Sequence, residues 1–270
     1  MSVLYVSDLD GTLLRSDQRT SDYTNRAINS LVDKGMLFSY ATARSSVTSQ
    51  KVTEGLIASF PIIVYNGAFI KDNATGELLL KNLFRKSDAV GMVEELTANG
   101  ITPIVYAFID GQERFSYHAK ITPAAREFVE SRQDSRVRVV ESDEELTEGE
   151  MFYITCIDDA EKLKPFYEKY KDSCHCVFQR DIYSGEQWLE IMPAAASKAN
   201  AVKQLAKLLE CDRIVVFGDG VNDIDMFEIA DESYATQNAV PELKRIATGV
   251  IAANDCDGVA RWLLERYNHQ

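Results

Sequence analysis

Two apolar runs, each ending in a turn loaded with carboxylates, constrain this chain more than anything else in it. Val3-Leu4-Tyr5-Val6 leads into Asp8-Leu9-Asp10-Gly11-Thr12-Leu13, and Ile214-Val215-Val216-Phe217 leads into Gly218-Asp219-Gly220-Val221-Asn222-Asp223. Short continuous apolar runs read as strands buried on both faces, as in a parallel sheet covered by helices. In such sheets ligands bind beyond the carboxyl ends of the strands, and both acidic turns fall there. Residues two apart on an extended chain point the same way, so Asp8 and Asp10 are expected to share a face. Gly11 and Thr12 add a tight turn and backbone N–H groups able to cradle an anion. Taken alone, the first segment has a second reading as an acidic surface turn, because short motifs carry false positives.

Further element ends carry chemistry. The run Met36 to Ala41 stops at Thr42-Ala43-Arg44. Lys198 opens a helix whose apolar face is Val202, Leu205, Ala206 and Leu209. Acid, hydroxyl, lysine and acid thus follow one another in the chain. In these four motifs the sequence resembles the haloacid dehalogenase-like phosphatases of the Cof type. Asn66-Gly67-Ala68, Asn238-Ala239 with Pro241-Glu242-Leu243-Lys244, and Asp257-Gly258-Val259-Ala260 match as well. The likeness covers both ends of the chain; over about residues 85–185 it is one of length and element order. Ala43 and Ala199 stand where the family commonly has Gly, each adding a methyl beside the phosphate site. The resemblance implies an α/β fold, a Rossmann-like parallel-sheet core with an inserted α+β cap domain.

Composition agrees with a soluble enzyme. At 270 residues and 46% hydrophobic, the chain can bury one large core or two modest ones. Its formal charge of −13 and lack of a long basic run disfavour nucleic acid and anionic membranes as partners. Phosphate must then be held locally, by a cation and a few placed groups. Val3 to Val6 is too short for a signal peptide, and no run approaches the ~20 apolar residues of a membrane span. Five scattered cysteines suggest a reducing cytoplasm. Cys174-His175-Cys176 has the wrong spacing for a zinc knuckle and reads as a strand. His118, His175 and His269 lie in no motif, and there is no Gly-x-Ser-x-Gly elbow, so a histidine-based hydrolase is disfavoured.

Residues 1–82 read as βα units, with a helix from about Ser21 that Gly35 would close. Residues 83–188 change character. Helices are expected at Ser87–Ala98, Pro123–Arg132 and Asp159–Tyr170. Strands are expected at Thr102–Ile109, Arg114–Tyr117, Val137–Val140, Met151–Ile157 and Cys174–Phe178. Residues 189–270 resume the βα pattern. The division is therefore a core of 1–82 and 189–270 with a cap of 83–188 inserted between the second and third motifs.

Hydrolysis of a phosphate ester needs a nucleophile, an acid for the leaving oxygen, and cations for the phosphoryl oxygens in an in-line geometry. Asp8 is the expected nucleophile, through an aspartyl-phosphate, and Asp10 the general acid and then base. Mg²⁺ suits the oxygen-rich site. Asp8, Asp10, Asp219 and Asp223 are its candidate ligands. A bound cation favours an ionised carboxyl, so Asp10 is expected to ligate through its backbone carbonyl, as the family does. Asp223 ligates through water or supports from behind. Thr42, Arg44, Gly11, Thr12, Asn66, Lys198 and Asn222 are the candidates for the phosphoryl group, Asn222 alternatively for a metal-bound water. Structural alternatives stand beside three of them: Thr42 or Asp223 as a helix N-cap, Arg44 as a surface charge. A lysine in a helix's first turn opposes the dipole, which favours a functional Lys198.

The sequence reads as a Mg²⁺-dependent phosphatase of small phosphorylated metabolites such as sugar phosphates. The alternatives are a phosphomutase of the same superfamily and a non-catalytic phosphometabolite-binding regulator. The substrate and the oligomeric state are not legible; Arg180, Tyr183 and Tyr117 near cap turns are candidates for choosing the substrate.

Overall fold

A computed structural model describes residues 2–132, 134–180 and 185–267. The chain forms two compact units, Met1–Lys81 with Ser197–Gln270, and Asn82–Ala196. In chain order the first unit starts with β1 (Val3–Asp8), α1 (Asp22–Asp33), β2 (Leu37–Ala41), α2 (Ser46–Val52), β3 (Pro61–Val64), β4 (Phe69–Asp72) and β5 (Leu78–Lys81). The second holds α3 (Lys86–Ala98), β6 (Ile104–Ile109), β7 (Gln112–His118), α4 (Pro123–Glu130), β8 (Val137–Val140), α5 (Asp143–Leu146), β9 (Glu150–Ile157), α6 (Ala160–Tyr170), β10 (Cys174–Arg180) and β11 (Gln187–Pro193). The first unit resumes with α7 (Lys198–Leu208), β12 (Arg213–Gly218), α8 (Ile224–Glu228), β13 (Glu232–Thr236), α9 (Pro241–Ile246), β14 (Gly249–Ile251) and α10 (Gly258–Tyr267).

The first unit is built on one sheet in the order β14-β13-β12-β1-β2-β3-β4-β5. From β14 to β3 it is parallel, and β4 and β5 add an antiparallel edge. Strand order runs one way from β1 through β3 and the other way from β12 through β14, so the topological switch point lies between β1 and β12. Leu4 and Val6 of β1, Val216 of β12, and Val202 and Leu205 of α7 are fully buried, in one core with Phe227 of α8. Capping explains the bounds of α1. The Ser21 hydroxyl accepts the Thr24 N–H. At the other end Gly35, at φ +94°, donates to Val32 while Met36 donates to Leu31, the paired bonds of a glycine C-cap. The β4–β5 hairpin departs from the all-βα reading of this stretch. Its turn is closed by Asp72, which accepts from the Ala74 and Thr75 N–H groups, and by Gly76 at φ +72°.

The second unit is a six-stranded sheet, β10-β11-β9-β6-β7-β8, antiparallel except for the β7–β8 pair. Val93 and Leu96 of α3 and Leu163 and Phe166 of α6 pack with Val105, Ile154, Cys156, Leu189 and Ile191 on one face. Alternation puts Tyr106, Tyr153 and Glu190 on the other, where the Tyr106 ring lies 5.5–6.1 Å from those of Phe115, Phe152 and Tyr153. Tyr117 is buried beside Phe115 in this sheet, not at a surface turn, and Arg180 is exposed at the end of β10. Cys174-His175-Cys176 begins β10, as its alternation suggested. The segment 189–196, read from sequence as the start of the second core half, falls in this unit. The reason is that β11 pairs with both β10 and β9, a long-range pairing that local patterning does not reveal. Asp181, Tyr183 and His269 lie outside the described residues. No helix among the described residues is long and apolar enough to cross a membrane.

Candidate active site

Three adjacent strand ends and one helix start meet at the switch point. Asp8 ends β1, Thr42 follows β2, Asp219 follows β12, and Lys198 opens α7. Asp8, Lys198 and Asp223 are buried. The Lys198 ammonium donates to Asp8 Oδ1 at 2.5 Å and to Asp223 Oδ1 at 2.8 Å. Two carboxylates therefore offset the unfavourable position of this lysine on its helix dipole. Asp223 Oδ2 accepts the N–H groups of Asp219 and Gly220, both at 3.1 Å. Asp223 thus ties its own loop together, and its side chain makes no cap bond to α8. A Cβ at Gly218 would stand 2.7 Å from Asp223 Oδ2, so glycine is what lets this carboxylate sit under the strand end.

The loop after β1 is drawn onto Asp219. The Thr12 hydroxyl donates to Asp219 Oδ1 at 2.9 Å. Gly11 has φ +78°, and a Cβ there would meet Asp219 Oδ2 at 2.2 Å; both facts demand glycine. Two asparagines brace this loop that sequence reasoning gave no role. Asn238 donates to the Gly11 carbonyl at 2.7 Å and accepts from the Asn254 N–H, and the Asn254 amide donates to the Leu14 carbonyl at 2.9 Å. Asn238 lay in a family-matching segment; Asn254 gave no local signal.

On the β2 side, Thr42 is buried, and its hydroxyl accepts the Arg44 N–H at 3.1 Å. The N-cap of α2 is Ser45, not Thr42. Tyr65, Asn66 and Gly67 all have positive φ, at 51°, 51° and 96°, a run of left-handed residues that costs about 1–3 kcal/mol for each non-glycine. The Tyr65 N–H bonds the Arg44 carbonyl and the Asn66 N–H bonds the Thr42 carbonyl. A Cβ at Gly67 would meet the Ser197 carbonyl at 2.4 Å. The strained turn is thus pinned between the end of β2 and the start of α7, with Asn66 buried in it.

Asp10 stands apart from the buried cluster. β1 ends at Asp8, so strand alternation does not carry on to Asp10. Its carboxylate is half exposed and takes both arms of a guanidinium fork, Arg44 Nε at 2.8 Å and Nη2 at 2.6 Å. Arg44 is therefore an ion-paired residue, not a free surface charge. Asn222 lies exposed on its loop, outside the cluster.

Carboxylate oxygens of Asp8, Asp219 and Asp223 lie within 4.8 Å of one another. Burial first, then Asp223 and Asp219, push the Asp8 carboxyl well above its usual range, against the pull of Lys198. Burial, with Asp223 and Asp10 adding to it, pushes Asp219 up to about 6 although the Thr12 hydroxyl opposes this. Burial works against the charge of Lys198, but Asp223 and Asp8 outweigh it and hold its pKa above the ordinary value. With all three carboxyls ionised, one ammonium would leave two negative charges uncompensated, with Asp8 and Asp223 buried. All three donors are hard oxygens. The set suits a hard divalent cation, whose charge would relieve this crowding.

An open parallel sheet carrying such a cluster at its switch point belongs with the enzymes that handle anions there. A model of the haloacid dehalogenase-like hydrolases matches residues 5–263. The chain is 28% identical to the 5-amino-6-(5-phospho-D-ribitylamino)uracil phosphatase YwtE of Bacillus subtilis, over 95% of each protein. It is 26% identical to a second Bacillus subtilis phosphatase of that name, YitU, over 98% of this chain and 97% of the relative. The crystal structure of TM0651 from Thermotoga maritima superposes with a TM-score of 0.79 at 26% identity, covering 98% of this chain and 97% of the other. The chain belongs to the haloacid dehalogenase-like hydrolase family, within it to the Cof-type phosphatases.

Proposed function

We propose that this enzyme is a Mg²⁺-dependent phosphomonoesterase of small phosphorylated metabolites, with Asp8 as its nucleophile. The observation that carries the reading is the buried Asp8 carboxylate at the switch point, 2.5 Å from a buried ammonium and clustered with two further carboxylates. Asp8 attacks phosphorus, the bond to the leaving oxygen breaks, and Asp10 gives that oxygen its proton. Water then attacks the aspartyl-phosphate, Asp10 takes the proton, and the phosphorus–Asp8 bond breaks. Lys198, the Thr42 hydroxyl, Asn66 and the N–H groups of the Gly11–Thr12 turn bind phosphoryl oxygens. Asp8, Asp219 and the Asp10 carbonyl would hold Mg²⁺, which supplies positive charge between the nucleophile and an anionic substrate. Asp223, with both oxygens already accepting hydrogen bonds, serves as their support.

The inserted unit, residues 82–196, is our candidate for substrate selection. The named relatives put 5-amino-6-(5-phospho-D-ribitylamino)uracil first among substrates to try, with sugar phosphates after it. We place the enzyme in the cytoplasm, in keeping with five unpaired cysteines. The test is turnover of p-nitrophenyl phosphate with Mg²⁺ and with EDTA, followed by a panel of phosphorylated metabolites. Phosphate release that EDTA abolishes is expected. Phosphoryl transfer within one substrate would make the enzyme a mutase, and binding without turnover would make it a regulator; either overturns the reading.

A further inference from the structure

We propose that Arg44 is a phosphate-responsive latch on Asp10. It holds the carboxylate until a phosphoryl group takes the guanidinium away. The inference rests on the phosphatase reading above. Its basis is the fork-to-fork pair, Arg44 Nε to Asp10 Oδ2 at 2.8 Å and Nη2 to Oδ1 at 2.6 Å. Held this way, each Asp10 oxygen accepts from the guanidinium, and a carboxyl that carries a proton for the leaving oxygen has only one oxygen left for the fork. Yet the proposed chemistry needs Asp10 at that leaving oxygen, so the pair must break once in every cycle.

The backbone says which partner moves. Arg44 is fixed at its main chain: its N–H donates to the Thr42 hydroxyl at 3.1 Å, and its carbonyl accepts from Tyr65 at 2.9 Å. Thr42, two residues away, is itself a candidate phosphoryl ligand. The mobile part of Arg44 is its side chain, and it starts beside the phosphoryl site. A phosphoryl group offers paired oxygens that a guanidinium binds in the same bidentate way as a carboxylate. The Nε–Nη2 edge that holds Asp10 cannot clasp both, and on its other side Nη2 already turns to Gln18 Oε1 at 3.5 Å. Asp10 and substrate phosphate are therefore competitors for Arg44, and the winner sets where Asp10 points. The side chains are 24% and 51% exposed, so water can take over the released groups and the exchange is cheap.

The experiment is a double-mutant cycle read as binding of inorganic phosphate, by calorimetry with Mg²⁺ present, on the whole chain. Asp10→Ala frees Arg44 and should tighten phosphate binding by about tenfold. In the Arg44→Ala background the same change should tighten it little. Simple repulsion between Asp10 and phosphate makes the opposite forecast, because the effect should then be at least as large once Arg44 is gone. Arg44→Lys keeps the charge and loses the fork, and should fall between the two backgrounds. Equal or greater tightening without Arg44, or no tightening with it, overturns the latch. Turnover of p-nitrophenyl phosphate by the wild type is measured alongside. A wild type that neither turns over nor binds phosphate overturns the phosphatase reading and the latch with it. A wild type that does both, with an uncoupled cycle, overturns the latch alone.

Discussion

Asp8 in the first unit and Glu190 in the second are both carboxylates that burial pushes upward, Asp8 well above its usual range and Glu190 to about 6. Their surroundings differ. Around Asp8 two more carboxylates add to the effect of burial, and an ammonium answers at 2.5 Å. Glu190 is answered by the Tyr153 hydroxyl and by the charge of Arg132, on the aromatic face of its sheet. A perturbed carboxyl is thus not by itself a mark of reaction chemistry. The mark is a density of charge that the protein leaves short of balance, placed at strand ends. The first unit has that arrangement; in the second, Glu190 sits in a packed sheet with Tyr153 and Arg132 to answer it.

The comparison breaks first at Asp8. Asp8→Asn keeps the shape and removes the proposed nucleophile, so turnover of p-nitrophenyl phosphate should fall to the rate without enzyme while circular dichroism stays unchanged. Activity within tenfold of wild type would remove Asp8 from the chemistry. Next comes the counter-charge. Lys198→Ala leaves Asp8 and Asp223 buried without their ammonium, and breaking such a group typically costs about 3–5 kcal/mol. Urea denaturation in EDTA should show that loss. Mg²⁺ should restore part of it, because a ligand at 100 times its Kd contributes about 2.7 kcal/mol. Denaturation curves of the variant that ignore Mg²⁺ would mean the cation does not sit among these carboxylates.

Asp10→Asn should cost about 10²–10⁴-fold in turnover, the usual worth of a general acid–base group. The loss should be smaller for nitrophenyl than for alkyl phosphates, since a good leaving group departs without a proton. Equal losses, with the first chemical step limiting, would take the acid role from Asp10.

The two units also differ in how much of them the sequence discloses, and for the same physical reason. Asp8, Thr42, Lys198 and Asp219 sit at element ends, and each end is written locally as an apolar run, a turn and a polar residue. The parallel sheet that unites them follows from the βα alternation. What local pattern could not express is partnership at a distance. Arg44 was legible as a basic residue after a strand, but not as the clasp on Asp10, 34 positions away. Asn254 looks like any loop asparagine until its amide is seen on Leu14, 240 positions away. In the second unit most helices and strands were legible within a few residues, because their periodicity is local. The membership of β11 was not, because it depends on pairing with β9 and β10. The buried placement of Tyr117 is likewise a property of the assembled sheet.

The smallest expected effect tests the other side of the comparison. Glu190 has a folded pKa of about 6, above the ~4.3 of an unfolded glutamate. The fold therefore favours the protonated form. The stability this proton contributes is complete below pH ~4.3 and is lost as pH rises through about 6. Glu190→Gln is neutral at every pH and can still accept from Tyr153. It should match the wild type near pH 4 and exceed it at pH 7.5. A full shift of this size corresponds to about 2 kcal/mol. Glu190 keeps some contact with solvent, so about 1 kcal/mol is the expected gain. Urea denaturation at both pH values, each with Mg²⁺ and with EDTA, measures it. The gain should be the same with and without Mg²⁺, since the carboxylates proposed to gather a cation belong to the other unit. A gain that Mg²⁺ changes would couple Glu190 to the charge cluster and undo the contrast. A difference equal at both pH values would mean that burial does not hold the Glu190 proton, leaving Asp8 and Asp219 as the carboxyls this fold perturbs most.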